Sequence, residues 1–299
     1  MALLPCDIPV DKHGRELKSH DTAFPIGCYL DNLTVDAVPW HWHNELEAVI
    51  IAEGSCTFFV DSEKYILKKG DGIFVNSNFL HTVLDNDCIN CQLHSITFHP
   101  RLVGGSLDSV FWQKYLQPLL TDPSFRCIFL SQRIAWQKEA LEVIEAAWQS
   151  VVFEPSGYEF RVRSFLSHLI WLSVSHRPVV QSVPSEKSLR DGERIKIMLQ
   201  YIHDHYAEEI NTCQIAGSAM ISASECLRCF RSTIGITPIK YVKQYRIQQA
   251  AKLLATTTQK IISIGTLCGF QEMSYFARSF KAQMGCLPTE YRKRMSSKS

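Results

Sequence analysis

The residues best suited to chemistry in this 299-residue chain are three histidines and a glutamate in its first third. His41, His43 and Glu47 are separated by even numbers of residues, so on a β-strand their side chains would share one face. His81 follows later in the chain. Three imidazoles and one carboxylate are adequate ligands for iron, manganese, nickel or zinc. The same residues could instead line a small-molecule pocket or form a buried polar cluster, and their spacing leaves the three interpretations open.

The cysteines offer a second kind of chemistry. There are eleven, and two pairs, Cys88/Cys91 and Cys226/Cys229, have C-x-x-C spacing. Neither pair is followed by another at the spacing of a zinc site. The total is odd, and the first ten residues lack the apolar segment of a secretory signal. We therefore expect reduced, mostly buried thiols in a cytoplasmic protein.

The elements that must position the histidines are predicted to be short strands. Runs rich in Val, Ile and Phe occupy residues 46–52, 55–60 and 72–75, and Gly54, Asp61 and a Gly-Asp-Gly turn at residues 70–72 separate them. This spacing predicts a small antiparallel barrel or sandwich over residues 1–105.

From about residue 107 the apolar pattern becomes helical, so residues 106–176 are predicted to form a helical packing or dimerisation segment. Two apolar stripes at helical spacing mark its helices: Leu141, Ile144, Trp148 and Val151, then Phe165, Leu166, Leu169 and Leu172. Each stripe needs a cover. The surface that packs against each stripe could be the barrel or a second copy of the chain, and the sequence leaves both possibilities open.

Composition excludes several classes of protein. Hydrophobic residues make up 46% of the chain and charged residues 20%, which is typical of a globular protein rather than a disordered one. No apolar run approaches the ~18 residues of a membrane span. Lys and Arg number 31 against 30 Asp and Glu, and this net charge of +1 argues at first against nucleic acid as a partner.

Division of the chain reverses that argument. Residues 177–191 are rich in proline and serine and are predicted to be a linker. Residues 1–184 carry 14 basic and 21 acidic residues, a net charge of −7, whereas residues 185–299 carry 17 and 9, a net charge of +8. A basic domain joined to an acidic one is typical of a nucleic-acid binder with a regulatory domain.

The basic domain, residues 192–299, contains an internal repeat with an offset of fifty residues. The repeat pairs Arg228, Phe230, Arg231, Gly235, Pro238 and Tyr241 with Arg278, Phe280, Lys281, Gly285, Pro288 and Tyr291. Six matched positions at one offset indicate a duplicated supersecondary unit.

Each unit, at about residues 192–236 and 255–294, has the pattern of a helix-turn-helix. In the first, Asn211 or Thr212 can cap the short helix and Ser222 or Ser224 the next one. In the second, Gly269 can supply the positive φ of the turn between helices at 261–268 and 272–284. A helix over residues 239–254, roughly 24 Å long, would join the units and place their second helices in successive major grooves about 34 Å apart.

Over roughly residues 192–294 the sequence resembles AraC/XylS-type transcriptional regulators. The stretch GFQEMSYFARSFK at residues 269–281, with Gly285, Pro288 and Tyr291 after it, is similar to the signature of that family, and residues 241–254 are similar to its connecting helix. The resemblance implies base-reading positions at Ser224, Leu227, Arg228, Met273, Ser274, Tyr275 and Arg278. Arg231 and Lys281, on the flanks of the same helices, would meet phosphates.

The sequence departs from the family pattern at three positions, two of them in the first unit. Met220 stands in the turn where the family usually has glycine, Cys226 stands where leucine is usual, and Gly265 replaces a helix alanine in the second unit. The first unit is therefore predicted to contribute less to sequence recognition than the second. Arg228 and Arg278 are still the expected guanine-reading residues, because arginine to guanine is the commonest specific contact.

The N-terminal histidines, together with Gly54 and the turn at residues 70–72, resemble the two motifs of the cupin barrel. In catalytic cupins three histidines and one glutamate bind a divalent metal, and those positions match His41, His43, Glu47 and His81. Asn76 and Asn78 depart from the second motif, where proline and glycine are usual. Cupin-like domains of AraC-type regulators usually sense ligands, so an effector pocket is favoured over a metal. Its expected lining is Trp40, His41, His43, Glu47, Phe58 and His81.

We therefore expect an N-terminal all-β cupin-like barrel with following α-helices, and a C-terminal all-α domain of two helix-turn-helix units joined by a linker helix. The predicted function is a sequence-specific transcription regulator, not an enzyme, which senses a small effector such as a sugar. A cupin-type metal-dependent enzyme tethered to DNA is the alternative. Expected partners are promoter DNA, the effector, RNA polymerase and a second copy of the chain, with no membrane and no resident cofactor.

Overall fold

The computed structural model describes residues 23–33, 38–85, 91–176 and 185–296. The chain divides into two compact units, Met1–Arg190 and Asp191–Ser299. Each unit has its own apolar core.

The N-terminal unit is built on two antiparallel sheets, which confirms the predicted all-β barrel. Within the described residues its strands are β1 (Ile26–Asn32), β2 (Val38–His41), β3 (Leu46–Glu53), β4 (Ser55–Val60), β5 (Glu63–Lys68), β6 (Gly72–Val75), β7 (His81–Asp85), β8 (Gln92–Phe98) and β9 (Cys127–Leu130). One sheet has the order β1-β8-β3-β6-β9 and the other β2-β7-β4-β5.

Alternation along the strands gives the five-stranded sheet two buried faces. On β3, Val49 and Ile51 belong to the core enclosed between the sheets, whereas Ala48 and Ile50 belong to the core on the outer face. A strand buried on both faces has a continuous apolar run, as residues 46–52 do. This double burial fixes the register of β3 and so the direction of every side chain on it.

The helices of the N-terminal unit cover the outer face of that sheet. They are α1 (Arg101–Gly104), a π-helical turn (Trp112–Leu116), α2 (Gln117–Thr121), α3 (Ala135–Phe153) and α4 (Tyr158–Ser175). The predicted stripes of α3 and α4 are buried in the same core as Ala48 and Ile50. Trp148 on α3 also donates a hydrogen bond from Nε1 to the backbone oxygen of Tyr29, at 3.0 Å. The α3 stripe therefore packs on the barrel, and α4 packs mainly against α3.

The prediction that residues 106–176 are helical was wrong at one place. Strand β9 lies inside this segment and pairs with β6, with Cys127 opposite Val75 and Leu130 opposite Gly72. Its side chains alternate between the two cores: Ile128 packs in the outer one and Phe129 against the inner one. A four-residue strand between helices has too few residues to show a period of its own.

The C-terminal unit is helical, as predicted. Its helices are α5 (Glu186–His205), α6 (Thr212–Ser218), α7 (Ala223–Thr233), α8 (Pro238–Thr256), α9 (Ile261–Leu267), α10 (Met273–Met284) and α11 (Pro288–Ser296). Helix α8 extends the predicted connecting helix 239–254 by one residue at its start and two at its end.

The predicted linker 177–191 is helical in its last part, which corrects that boundary. Helix α5 begins at Glu186, and the hydroxyl of Ser185 accepts a hydrogen bond from the backbone N–H of Ser188, at 3.2 Å. Serine at this position caps a helix, so the helix begins inside the proline- and serine-rich segment that predicted a linker. Residues 177–184 of the linker lie outside the described residues.

Candidate DNA-binding surface and histidine cluster

The two predicted helix-turn-helix units share one backbone design. Helices α6 and α7 are joined by a turn in which Met220 has φ 53°, and helices α9 and α10 by a turn in which Gly269 has φ 79°. Asn211 caps α6 in a reciprocal capping box with Gln214, and Ser222 caps α7. Helices α9 and α10 have no side-chain cap. The turns therefore set the angle at which each second helix leaves the first, with caps adding support in the first unit.

The fifty-residue repeat holds in three dimensions. Phe230 and Phe280 are fully buried under α7 and α10. Gly235 and Gly285 both have positive φ, 80° and 73°. Pro238 and Pro288 each begin the following helix. Equivalent residues therefore have equivalent places, and α7 and α10 are the two candidate recognition helices.

Helix α10 carries an open polar and basic face. Ser274, Tyr275, Arg278 and Lys281 are all exposed, and within residues 185–296 neither of the two basic side chains forms an ion pair. Nζ of Lys243, from α8, lies 4.8 Å from the centre of the Tyr275 ring. This face can donate hydrogen bonds to base edges and contact the phosphates of the DNA backbone.

Met273 does not belong to that face, although it was predicted to read bases. It is half-buried and packs against the core of the second unit. A Cβ atom at Gly265 would lie 2.8 Å from its Sδ atom. The glycine that replaces the usual alanine in α9 therefore makes room for this thioether, and the side chain is directed inward.

On helix α7, Ser224 and Arg231 are exposed and Leu227 is half-buried. The arginine predicted to read guanine on this helix is already bound to two carboxylates. Arg228 donates from Nε to Oε2 of Glu225 at 2.9 Å, and from Nη2 to Oε1 of Glu225 at 2.7 Å. Nη2 also lies 2.9 and 2.8 Å from the two carboxylate oxygens of Asp191. The hydrogen bonds that Arg228 donates, first to Glu225 and then to Asp191, raise its pKa above the ordinary value.

The four predicted metal-ligating residues of the N-terminal unit come together inside the barrel. One ligand atom each of His41, His43, Glu47 and His81 lies within 4.8 Å of the others, and all four residues are buried. His41 ends β2 and lies opposite His81, which begins β7. Glu47 is on β3, and His43 lies in the loop between β2 and β3.

The hydrogen bonds of the cluster place the imidazole protons. Nδ1 of His41 lies 2.8 Å from the carbonyl oxygen of Pro39, Nδ1 of His43 lies 3.0 Å from that of Glu45, and Nδ1 of His81 lies 2.8 Å from that of Phe79. A carbonyl oxygen only accepts hydrogen bonds, so each Nδ1 carries a hydrogen. In a neutral imidazole the other nitrogen, Nε2, then has only a lone pair to offer.

Two of the three Nε2 atoms lie against the same carboxylate. Nε2 of His43 and Nε2 of His81 each lie 3.0 Å from the same oxygen, Oε2 of Glu47. Two acceptors at this distance repel each other unless a proton or a cation lies between them. A proton on Oε2 could serve one neutral imidazole but not both, whereas protonated imidazoles would each donate from Nε2 to Oε2. A divalent cation would satisfy all the acceptors at once, and backbone carbonyls that fix each Nδ1–H are the usual support of histidine ligands.

The predicted effector lining is only partly gathered at this cluster. Phe58 stacks on His81, with ring centroids 6.1 Å apart. Trp40 instead lies 5.9 Å from Phe59, whose position next to Phe58 directs it to the other face of β4. Trp40 is therefore outside the cluster.

Two residues of the cluster were missed. Ser95 on β8 donates a hydrogen bond to Oε1 of Glu47 at 2.7 Å. Thr97 pairs in register with Glu47, and its buried hydroxyl has no hydrogen-bond partner in the described part of the chain. Ser95 and Thr97 are two residues apart, so on a strand they share one face. That pattern points to the cluster only once β8 is known to pair with β3.

In the described residues, no group of potential metal ligands contains both cysteines of a C-x-x-C pair. Cys229 alone lies within 4.8 Å of carboxylate oxygens of Asp191 and Glu225, and both of these carboxylates are ion-paired with Arg228. Cys226 and Cys229 are separate, buried thiols, and burial raises the pKa of each to about 11. Cys91 is buried, and Cys88 lies outside the described residues.

Comparison with known proteins gives two family matches. Residues 25–150 match the AraC-like ligand-binding domain, and residues 215–294 match a helix-turn-helix domain. An uncharacterized HTH-type transcriptional regulator, YdeC, from Bacillus subtilis (strain 168) is 29% identical, over 95% of this chain and 97% of its own. The HTH-type transcriptional activator RhaR from Mannheimia succiniciproducens is 23% identical, over 87% of this chain and 89% of its own.

A crystal structure of ToxT from Vibrio cholerae with an unsaturated fatty acid bound aligns over 92% of this chain and 97% of its own. The TM-score is 0.49 and the identity 14%. Among the helices of the described residues, none is both long and apolar enough to cross a membrane.

Proposed function

Because this chain is an AraC-family transcriptional regulator, with an N-terminal ligand-binding domain and a C-terminal helix-turn-helix DNA-binding domain, we propose that ligand binding in its barrel controls how α7 and α10 engage promoter DNA. The observation that carries the proposal is the exposed face of α10, where Arg278 and Lys281 stand free of ion pairs within residues 185–296. Regulation of this kind takes place in the cytoplasm, with RNA polymerase as a further partner at the promoter.

The two recognition helices have different tasks in this proposal. Ser274, Tyr275 and Arg278 of α10 read base edges, and Lys281 and Arg231 contact phosphates. Ser224 and Leu227 are the base-reading positions of α7. Met273 supports α10 from within rather than reading a base.

Substitution of Arg278 and Lys281 separates base reading from backbone contact. Arg278→Ala is expected to lose about 1–3 kcal/mol of discrimination at one base position. Lys281→Ala is expected to weaken binding to all sequences and to reduce the slope of log K against log salt by about 1. The measurement is fluorescence anisotropy over a salt series, with duplexes from the intergenic region upstream of the gene.

Two results would contradict this assignment. The first is a uniform loss of affinity with unchanged base preference in Arg278→Ala. The second is the absence of any salt-dependent binding by the wild-type chain, since phosphate contacts make DNA binding steeply salt-dependent.

A homodimer is part of the same proposal. The apolar stripes of α3 and α4 are used within the unit, but α4 exposes Phe160 and Trp171, which are 82% and 49% accessible. Their spacing of eleven residues is about three helical turns, so they share a face. A second copy of the chain would cover that face.

The ligand that the histidine cluster fits is a divalent metal ion. Four potential ligand atoms, all from buried residues, lie within 4.8 Å of one another, a spacing that suits the coordination of one ion. Two imidazole nitrogens lie 3.0 Å from one carboxylate oxygen, and a cation between them would satisfy all three atoms. His41, His43, Glu47 and His81 would hold the ion, with Ser95 fixing the carboxylate from the other side. When bound, the ion supplies positive charge that joins three elements of the barrel.

Burial also argues against the enzyme alternative. A catalytic metal keeps an open position for its substrate, whereas His41, His43 and His81 are 4%, 1% and 1% accessible. We therefore propose a sensory or structural ion and no catalytic activity, in agreement with the regulators to which the chain is similar.

Elemental analysis tests the metal. Protein purified without chelators and supplemented with iron, manganese, nickel or zinc is expected to hold one ion per chain. Glu47→Gln is expected to reduce metal affinity at least tenfold, because it removes the only carboxylate of the set. Glu53→Gln is the matched control, since Glu53 lies on the same strand and pairs at the surface with Lys69. Substoichiometric metal in the wild-type chain under all four conditions would refute the site.

A further inference from the structure

The two halves of the repeat keep the same arginine but surround it differently. Arg278 on α10 forms no ion pair within residues 185–296. Arg228, fifty residues earlier on α7, lies against two carboxylates. One of them, Glu225, comes from the preceding turn of α7, and the other, Asp191, comes from α5.

The shape of the guanidinium makes this difference important for base reading. A bidentate contact to O6 and N7 of guanine needs two neighbouring nitrogens of the group. The two edges that can do this are Nε with Nη2 and Nη1 with Nη2, so Nη2 belongs to both. In Arg228 this atom lies within 2.9 Å of three carboxylate oxygens, from Asp191 and Glu225. Neither bidentate contact is available while both carboxylates stay in place.

Asp191 is the decisive partner because Glu225 leaves one edge unaffected. Glu225 takes Nε and one hydrogen of Nη2, which is the side edge of the fork. Asp191 accepts the hydrogen bond from the other hydrogen of Nη2. That hydrogen belongs to the outer edge of the guanidinium, the edge that would point to a base. Without Asp191, Glu225 would still hold the guanidinium while its outer edge could donate.

The position of Asp191 is fixed by its helix. Asp191 is only 8% accessible, and α5 is anchored by Ile195, Met198 and Leu199, none of which is accessible. Arg194, one turn later, lies 3.3 Å from Glu225 and 3.5 Å from Asp191, so two cations and two carboxylates form one neutral group. This group removes positive charge from α7 that the equivalent face of α10 retains.

We propose that Asp191 is a specificity-determining residue, which withholds Arg228 from base reading. The first unit then selects DNA through Ser224 and Leu227, and guanine reading by arginine belongs to α10 alone. This inference rests on the proposed assignment of α7 and α10 as recognition helices.

Selection of binding sites from a random duplex library tests the inference with the full-length chain. The wild type and Arg228→Ala are expected to select the same sequence. Asp191→Ala is expected to gain a preference of about tenfold for guanine at one further position, the range of a bidentate arginine contact. The double variant Asp191→Ala/Arg228→Ala is expected to lose that preference again.

A matched control lies on the same helix. Asp204→Ala removes the same charge from α5. Asp204 accepts a hydrogen bond from Gln200 rather than from an arginine. Its selected sequence should equal that of the wild type. Thermal unfolding of each variant accompanies the selection.

The inference is overturned if Arg228→Ala alone loses a base preference that the wild type has, and this comparison does not depend on the folding of Asp191→Ala. It is also overturned if a folded Asp191→Ala selects the wild-type sequence. Failure of the underlying assignment looks different, because Arg278→Ala would then keep the full base preference of the wild type or no protein would select any sequence.

Discussion

His203 illustrates how much one buried imidazole can determine in the C-terminal unit. It stacks on Tyr245 with ring centroids 4.3 Å apart, and its Nε2 lies 3.0 Å from the hydroxyl of Tyr241. Burial lowers the pKa of His203 to about 3. The unfolded chain takes up this proton near pH 6.5, so the stability contributed by the neutral imidazole is complete above that pH and declines as the pH falls toward 3.

The resulting pH dependence can be measured. Between pH 7.5 and pH 5.5, His203 alone is expected to lower the free energy of unfolding of the C-terminal unit by about 1.4 kcal/mol. His203→Phe preserves a stacking ring and should remove this part of the pH dependence. Hydrogen exchange of the peptides of α5, measured by mass spectrometry at the two pH values, provides the free energies. His205→Phe, on the same helix but partly exposed, should keep the wild-type dependence, and an equal slope in His203→Phe would disprove the assignment.

Single residues were predictable where their partners are close in the sequence. Ser222 as a helix cap and Gly269 as a turn residue follow from local rules. The pairing of Arg228 with Asp191 spans 37 residues, and the inward direction of Met273 depends on the glycine opposite it. Neither tertiary contact leaves a periodic signal in the sequence.

At the scale of elements, the turn of the first helix-turn-helix is strained. Met220 has φ 53°, which costs a residue with a Cβ atom about 1–2 kcal/mol. Its side chain is 93% accessible, so packing offsets little of that cost. Gly269 also has a positive φ, 79°, but without a Cβ atom it is not strained. A Cβ atom there would lie 2.8 Å from the carbonyl oxygen of Ala207.

Met220→Gly is therefore expected to stabilise the C-terminal unit by about 1 kcal/mol, net of the entropy that glycine adds to the unfolded chain. Gly269→Ala should destabilise it by at least about 2 kcal/mol, because positive φ and a backbone clash act together. Urea unfolding at constant m-value measures both changes. Met220→Ala controls for removal of the side chain, since alanine retains the strain. Equal stabilisation by alanine and glycine would show that strain at this turn is not the cause.

Helices and strands were predictable where an apolar pattern is bounded by turn residues. The strands at 55–60 and 72–75 have the predicted bounds, because glycine and aspartate turns flank apolar runs. Strand β9 has no such signal, since its structure comes from β6, more than fifty residues away. Helix α5 begins before its apolar stripe because a serine cap determines its start.

At the scale of the whole molecule, the two functions have separate cores and opposite charge. Residues 1–184 have a net charge of −7 and residues 185–299 one of +8. The acidic unit contains the histidine cluster and the basic unit the recognition helices, so any communication between them is a coupling free energy between two sites. Such a coupling is reciprocal, which makes it testable without knowledge of the path.

The last prediction follows from that reciprocity. If the ion in the barrel is part of the regulatory signal, loading it is expected to change affinity for a selected DNA duplex at least fivefold, within the usual range of coupling free energies. The same duplex must then change metal affinity by the same factor and in the same direction. Anisotropy titrations of metal-loaded and EDTA-treated protein give the first factor, and competition with a metal-binding dye, with and without DNA, gives the second. Glu47→Gln should have the DNA affinity of the EDTA-treated protein under both conditions, whereas Glu53→Gln should follow the wild type. Equal DNA affinities of loaded and stripped wild-type protein would limit the ion to stabilising the barrel, because an ion with no differential affinity for two states shifts nothing between them.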